Sequence, residues 1–154
     1  MIGRNLEEAS RWLEQARWDL NAARWNLQGQ FWYEACFLAQ QAGEKALKAF
    51  LFAVGERGVI GHSLLELGRW CGQYDPDFQT LGHEYRVLGR YYITTRYPNG
   101  VPSGIPADHF DERDAQEAIA FAQRIEDLVR TKWTALKKAE AKETDENSAQ
   151  SPSL

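Results

Sequence analysis

Nothing in this sequence reads as a membrane span, a secretory leader, a disulfide framework or a metal site. No apolar run approaches the roughly 20 residues that a bilayer-crossing helix needs. The first residues, MIGRNLEEAS, have neither the basic nor the apolar region of a signal peptide. Two cysteines in 154 residues, Cys36 and Cys71, make no framework, and Cys36 sits where a small core residue is wanted. The three histidines show no ligand spacing with them. The expectation is a cytoplasmic protein without a membrane anchor, a metal or a cofactor. Excess positive charge is also missing. Eighteen Lys and Arg stand against 22 Asp and Glu, a net charge of −4, so any site for nucleotide or nucleic acid must be a local basic patch. Strand-like alternation and internal repeats are absent throughout.

What is there is helix. The stretch from Phe31 to Val54, FWYEACFLAQQAGEKALKAFLFAV, is rich in Ala, Leu, Gln, Glu and Lys, has no proline, and is closed by Gly55. At 100° per residue only one narrow strip is polar: Glu34, Gln41, Lys45 and Lys48. Such a helix must be enclosed by neighbours on most sides. Gln40 and Glu44 interrupt its apolar side, and a carboxylate there needs a partner, which a salt bridge between helices would supply. Before it, Asn5 and Glu8 have the form of a capping box. The helix they open, to about Gln28, carries an unbroken seam of Leu6, Ala9, Leu13, Ala16, Leu20, Ala23 and Leu27. Trp18 and Trp25 project from its opposite face, one heptad apart, along a line with Arg4 and Arg11. Two tryptophans on a wet face call for a second buried surface, either a later helix or a subunit interface, and the interface is the reading taken.

Gly29 separates these helices by a connection short enough for an antiparallel hairpin. Ser63 with Glu66 starts a third helix that ends at Gly72, and Asp75-Pro76 opens a fourth. Leu81, Tyr85, Leu88 and Tyr92 line the inner face of the fourth, opposite His83, Arg86 and Arg90. A Pro- and Gly-rich loop, TTRYPNGVPSGIPADHF, precedes a last helix capped by Asp111. Its inward residues are Ala118, Ala122, Ile125 and Val129. The expected fold is all-α: an up-and-down bundle of four or five helices over residues 1–138, with a polar, disordered tail at 139–154.

Three segments in order, QQAGEKALKAFL (40–51), GHSL (61–64) and RYYITTRYP (90–98), resemble the HEPN family, together with Trp12, Ala16, Asp19 and Leu20 on the opening helix. The resemblance spans roughly Leu6 to Trp133. It implies a small helical bundle, frequent homodimers, and frequent pairing with a small nucleotidyltransferase encoded alongside, often in toxin–antitoxin or defence settings. One branch of that family consists of metal-independent ribonucleases, marked by an Arg, four to six residues and a His late in the bundle. Arg57 and His62 match that spacing, but they precede the third helix. The late arginine is Arg96, followed by Val101, Pro102 and Ser103 where a His would stand; His109 is too far on.

The ribonuclease, using Arg57 or Arg96 with His62, is therefore the alternative reading, and a purely structural oligomerisation domain is a second. The reading preferred from the sequence is a binding and regulatory module. Arginine offers bidentate phosphate recognition and tyrosine a stacking face. Lys45, His62, Arg90, Arg96 and Tyr97 are accordingly the expected ligand-binding set, converging on one concave surface. Pro98 should hold Tyr97 extended.

Overall fold

The computed structural model describes residues 5–152, which places Arg4 outside the described residues. It is an all-α bundle, with no strand among those residues. Helix α1 (Leu6–Gln28) begins where the Asn5 side chain accepts the backbone amide of Glu8, but the return bond of a capping box is not made: Asn5 N donates to Phe52 O, and the Glu8 carboxylate accepts from Arg11 and Trp12. Its seam is buried from Ala9 to Ala23. A three-residue connection, with Gln30 in the left-handed region at φ 66°, leads to α2 (Trp32–Ala53). The backbone bond from Asn5 N to Phe52 O, 3.2 Å, ties the start of α1 to the end of α2, so the two form an antiparallel hairpin.

Helix α2 is the central element. Fourteen of its residues are buried, including Gln40, Glu44 and Lys48. The polar strip read from the sequence is thus narrower than expected, because Lys48 lies inside it rather than in water. Gly55 closes α2 at φ 102°, a backbone conformation that a Cβ would strain. Helix α3 (Leu64–Tyr74) is capped by Ser63, whose hydroxyl accepts the amide of Glu66. Asp75 caps the next segment, which opens as a 3-10 turn (Pro76–Leu81) before becoming α4 (Gly82–Gly89) and the short α5 (Tyr91–Thr94). Tyr85 and Leu88 face the core, as their spacing requires.

The proline-rich segment is an ordered connection holding two 3-10 turns, Pro98–Gly100 and Pro106–His109. It delivers the chain to α6 (Glu112–Gln150), which opens with a capping box between Asp111 and Asp114. Trp133 Nε1 donates to Leu6 O at 3.1 Å, and Arg24 bonds Gln123, so α6 runs antiparallel to α1 and parallel to α2. The long connection permits that direction. Helix α6 also continues through 139–150, where the sequence reading expected no regular structure. The run AEAKETDENSAQ is made largely of helix-compatible residues without proline, and extending an anchored helix avoids the nucleation penalty. Every residue from 140 to 150 is exposed, so the packed bundle still ends near residue 139. No described helix is long and apolar enough to cross a membrane. Cys36 and Cys71 are fully buried, and burial, the largest cause, pushes the Cys36 thiol up to about 12.

Candidate functional site

The loop after α2 brings His62 back against the middle of that helix. Gly61, at φ 105°, makes the turn that sets it there. His62 Nδ1 lies 3.1 Å from Glu44 Oε1, while Glu44 Oε2 accepts from Lys48 Nζ at 3.2 Å. Gln40 Nε2 reaches both Glu44 Oε1 and His62 O at 3.4 Å. The buried carboxylate expected to need a partner has three. Lys48 in turn sits 5.7 Å from the Trp12 ring centroid. Glu44 is thus paired to its own helix and to the α2–α3 loop rather than to another helix.

The His62 ring stacks on Tyr92, centroids 4.5 Å apart and planes 16° from parallel. Arg96 packs beside the same tyrosine, its Cζ 4.4 Å from the Tyr92 centroid, 4.9 Å from Phe37 and 5.1 Å from Tyr97. Its Nε donates to Tyr92 O at 2.6 Å. Tyr97 is extended at φ −125°, ψ 133°, as the following proline requires.

Beside this stack lies an open cleft of about 620 Å³ between the loop, α3 and α4. It is lined by His62, Ser63, Leu65, Tyr85, Arg86, Gly89, Arg90, Tyr92 and Ile93, with no carboxylate in its wall. Arg86 on α4 and Arg90, the residue that caps its end, stand one turn apart, exposed, and neither is paired with a described acid. The wall therefore offers two guanidinium forks, an imidazole and aromatic or aliphatic surface: a set suited to an anion carrying an apolar part.

Of the residues read from the sequence, the cleft unites His62 and Arg90. Arg96 stands one ring behind, against Tyr92, and Tyr97 packs on Arg96 without lining the cleft. Lys45 does not join them. Its Nζ is 2.5 Å from Asp19 Oδ2, and it lines a different groove with Trp12 and Trp18, because the next residue along α2 points about 100° away from Glu44. Arg57 is exposed and stands outside the His62 cleft, so the Arg57–His62 spacing does not become a joint site. Sequence reasoning passed over Arg86, Tyr92 and Glu44 as site residues. The i, i+4 spacing of Arg86 and Arg90 on one helix face was the available signal. Trp18 and Trp25 are 60% and 75% exposed, so α6 does not cover them. Among the described residues no cluster of His, Cys, Asp and Glu could hold a metal ion.

The HEPN domain profile matches residues 9–132. The chain belongs to the HEPN family. The protein TT1696 from Thermus thermophilus has a similar crystal structure, at 40% identity and TM-score 0.72, covering 80% of this chain and 97% of that one. ST0689, described as an archaeal HEPN homologue, is 33% identical at TM-score 0.66, with 81% and 97% covered. An HEPN domain protein of Thermotoga maritima shares the fold at 23% identity and TM-score 0.64, over 80% of this chain and 98% of that one. No curated protein matches. The aligned HEPN region runs from the first turn of α1 to the middle of α6, and it leaves the exposed end of α6 outside.

Proposed function

We propose that this HEPN protein is a binding and regulatory module that takes a phosphate-bearing ligand, a nucleotide or an RNA end, in the cleft between α3 and α4. The observation that carries this reading is the pair Arg86 and Arg90, unpaired by any described acid, facing His62 across a wall without a carboxylate. Guanidinium groups left free at a concave surface hold phosphate well, and the tyrosine and leucine surface beside them accommodates a sugar or base. The ribonuclease alternative lacks a histidine four to six residues after the late arginine, and Arg96 packs among its aromatic neighbours.

Calorimetry against ATP, GTP and a short oligoribonucleotide tests the reading. Each charge-assisted phosphate contact contributes about 1.5–3 kcal/mol, so Arg90→Ala should weaken binding roughly ten- to a hundredfold. Binding to none of the three, or equal binding by the variant, would remove the proposal. Arg96→Ala should have the smaller effect, acting only through Tyr92.

The assembly belongs to the same reading: a homodimer through the exposed tryptophans of α1, paired in function with a small nucleotidyltransferase. Trp18 and Trp25 are the largest exposed apolar groups on α1, and no described element of the chain covers them. Replacing both by alanine should yield a folded monomer with unchanged helical content. A wild-type chain that sediments as a monomer at micromolar concentration would show the dimer to be wrong. Failure to co-purify with a small nucleotidyltransferase on co-expression would remove the pairing.

A further inference from the structure

We infer that the outer face of α1 pairs with the same face of a second copy in the antiparallel direction only, the partner's Trp25 seating in the groove beside Trp12 and Trp18 while the partner's Arg24 meets Glu14. The inference rests on the proposed dimer and gives the geometry of its partner surface.

The two halves of this face differ in shape. The N-terminal half borders an open groove of about 750 Å³, walled by Arg11, Trp12, Glu14, Gln15 and Trp18 with Lys45 of α2. The C-terminal half carries the projecting ring of Trp25. Antiparallel pairing exchanges the halves, so each copy sets its projection against the groove of the other. Helix rise then fixes the register. The α1 residues of the groove centre on the level of Leu13, about 18 Å from Trp25. Seating the partner's Trp25 at that level puts the two-fold axis beside Asp19. Trp18 then lies about 3 Å along the helix from the partner's Trp18. Four indoles leave water together, and such large rigid groups are the ones that anchor an interface.

Charge selects the same direction. In this register the partner's Arg24 comes level with Glu14, and the contact occurs twice in the dimer. Both side chains have room for it. Arg24 bonds the neutral amides of Asn21 and Gln123 and no described acid, and Glu14 faces Arg17 at 4.0 Å, the limit of an ion pair. Glu14 and Arg24 also lie on one side of the tryptophan line, about 40° and 120° around the helix from Trp18, and the two-fold axis brings like sides together. The other charges of the face do not oppose this arrangement. Arg11 is held by Glu8 of its own chain at 2.9 Å, and Asp19 by Lys45. Arg17 comes level with the partner's Asn21, and Glu7 lies beyond the end of the partner's α1. Parallel pairing would instead set each Glu14 on Glu14 and each Arg24 on Arg24, with both grooves empty.

The test is a charge exchange read by sedimentation of the full chain, with folding followed by circular dichroism. Glu14→Arg and Arg24→Glu should each raise the dimer Kd about tenfold, and the two together should return it to near the wild-type value. A thiol pair reads the direction independently. Cys36 and Cys71 are fully buried, so a short bismaleimide reacts at an added surface cysteine. In the antiparallel register Asn21→Cys lies about 6 Å along the helix from its copy and should cross-link, whereas Gln28→Cys lies about 27 Å from its copy and should not. Parallel helices would bring both thiols level with their copies. A dimer in which Gln28→Cys cross-links, or in which the double exchange fails to restore the affinity lost by the single ones, would overturn the antiparallel register while leaving the dimer in place. A chain that sediments as a monomer at micromolar concentration would overturn both readings.

Discussion

Gly68 in α3 packs against the ring of Tyr85, a wall residue of the cleft, and leaves no room for a side chain. A Cβ built there would lie 2.5 Å from Cδ2 of Tyr85 and 2.8 Å from its Cζ, with Cε2 closer still. The ring cannot swing away cheaply. It is 2% exposed, its hydroxyl donates to Phe78 O at 2.7 Å, and its body packs in the core between α3 and α4. Gly68→Ala gains about 1 kcal/mol of helix propensity. Against that, overpacking typically costs about 1–3 kcal/mol, and losing the buried tyrosine hydrogen bond adds about 1–3 kcal/mol. The net expectation is a destabilisation of about 1–5 kcal/mol. At about 2–4 °C per kcal/mol for a domain of this size, Tm should fall by roughly 2–20 °C. Tyr85 and Leu65 both line the cleft, so prising α3 from α4 should also weaken ligand binding by more than the stability loss alone explains. Gly89→Ala is the control, since a Cβ there meets nothing within 4 Å and should raise Tm slightly. Thermal melting by circular dichroism reads both variants. A Gly68→Ala protein that melts at or above the wild-type temperature would refute the packing argument.

Three further perturbations bear on other parts of the molecule. Lys48→Met leaves Glu44 buried without its ammonium partner and should destabilise the fold by about 3 kcal/mol in urea unfolding, His62 and Gln40 recovering some of the loss. Lys132 lies 2.8 Å from Asp75, and its hydrogen bond, first among the causes, holds that carboxyl below the usual range, while the Lys132 ammonium is raised chiefly by the same bond. The depressed Asp75 contributes stability above the ordinary carboxylate pKa of about 3.9 and loses it as pH falls through the lower folded value; the raised Lys132 contributes below about 10.4 and loses it above. The stability gap between wild type and Lys132→Met should accordingly be flat from about pH 5 to 9 and close on acidification below about pH 4, measured by unfolding at each pH. Ending the chain after Ala139 should shift Tm by no more than about a degree and reduce the far-ultraviolet helical signal, because residues 140–150 are helical but exposed. A large loss of stability would mean that this helical end packs on the bundle.

The sequence by itself determined the helices and the core. Periodicity at Leu6 through Leu27 and the near-uniform apolarity of α2 are local signals, and burial of those faces follows from the spacing of side chains around a helix. The caps at Asn5, Ser63, Asp75 and Asp111 were legible for the same reason: each is a hydrogen bond closed within three residues. The order of three short motifs was enough to place the chain in its family. Tertiary structure alone decided which polar residues meet. Lys45 and Glu44 are adjacent in sequence yet serve different grooves, since a single helical step turns a side chain by about 100°. His62 reaches Glu44 across 18 positions because Gly61 turns the loop back on α2, and no local pattern encodes that return. Arg86 read as a solvated residue of its own helix; the packing of α3 against α4 made it one wall of a cleft. At the other end, helical propensity after Lys138 was outweighed in the reading by polarity. A helix already anchored from Asp111 onward needs no new nucleus to continue through Gln150.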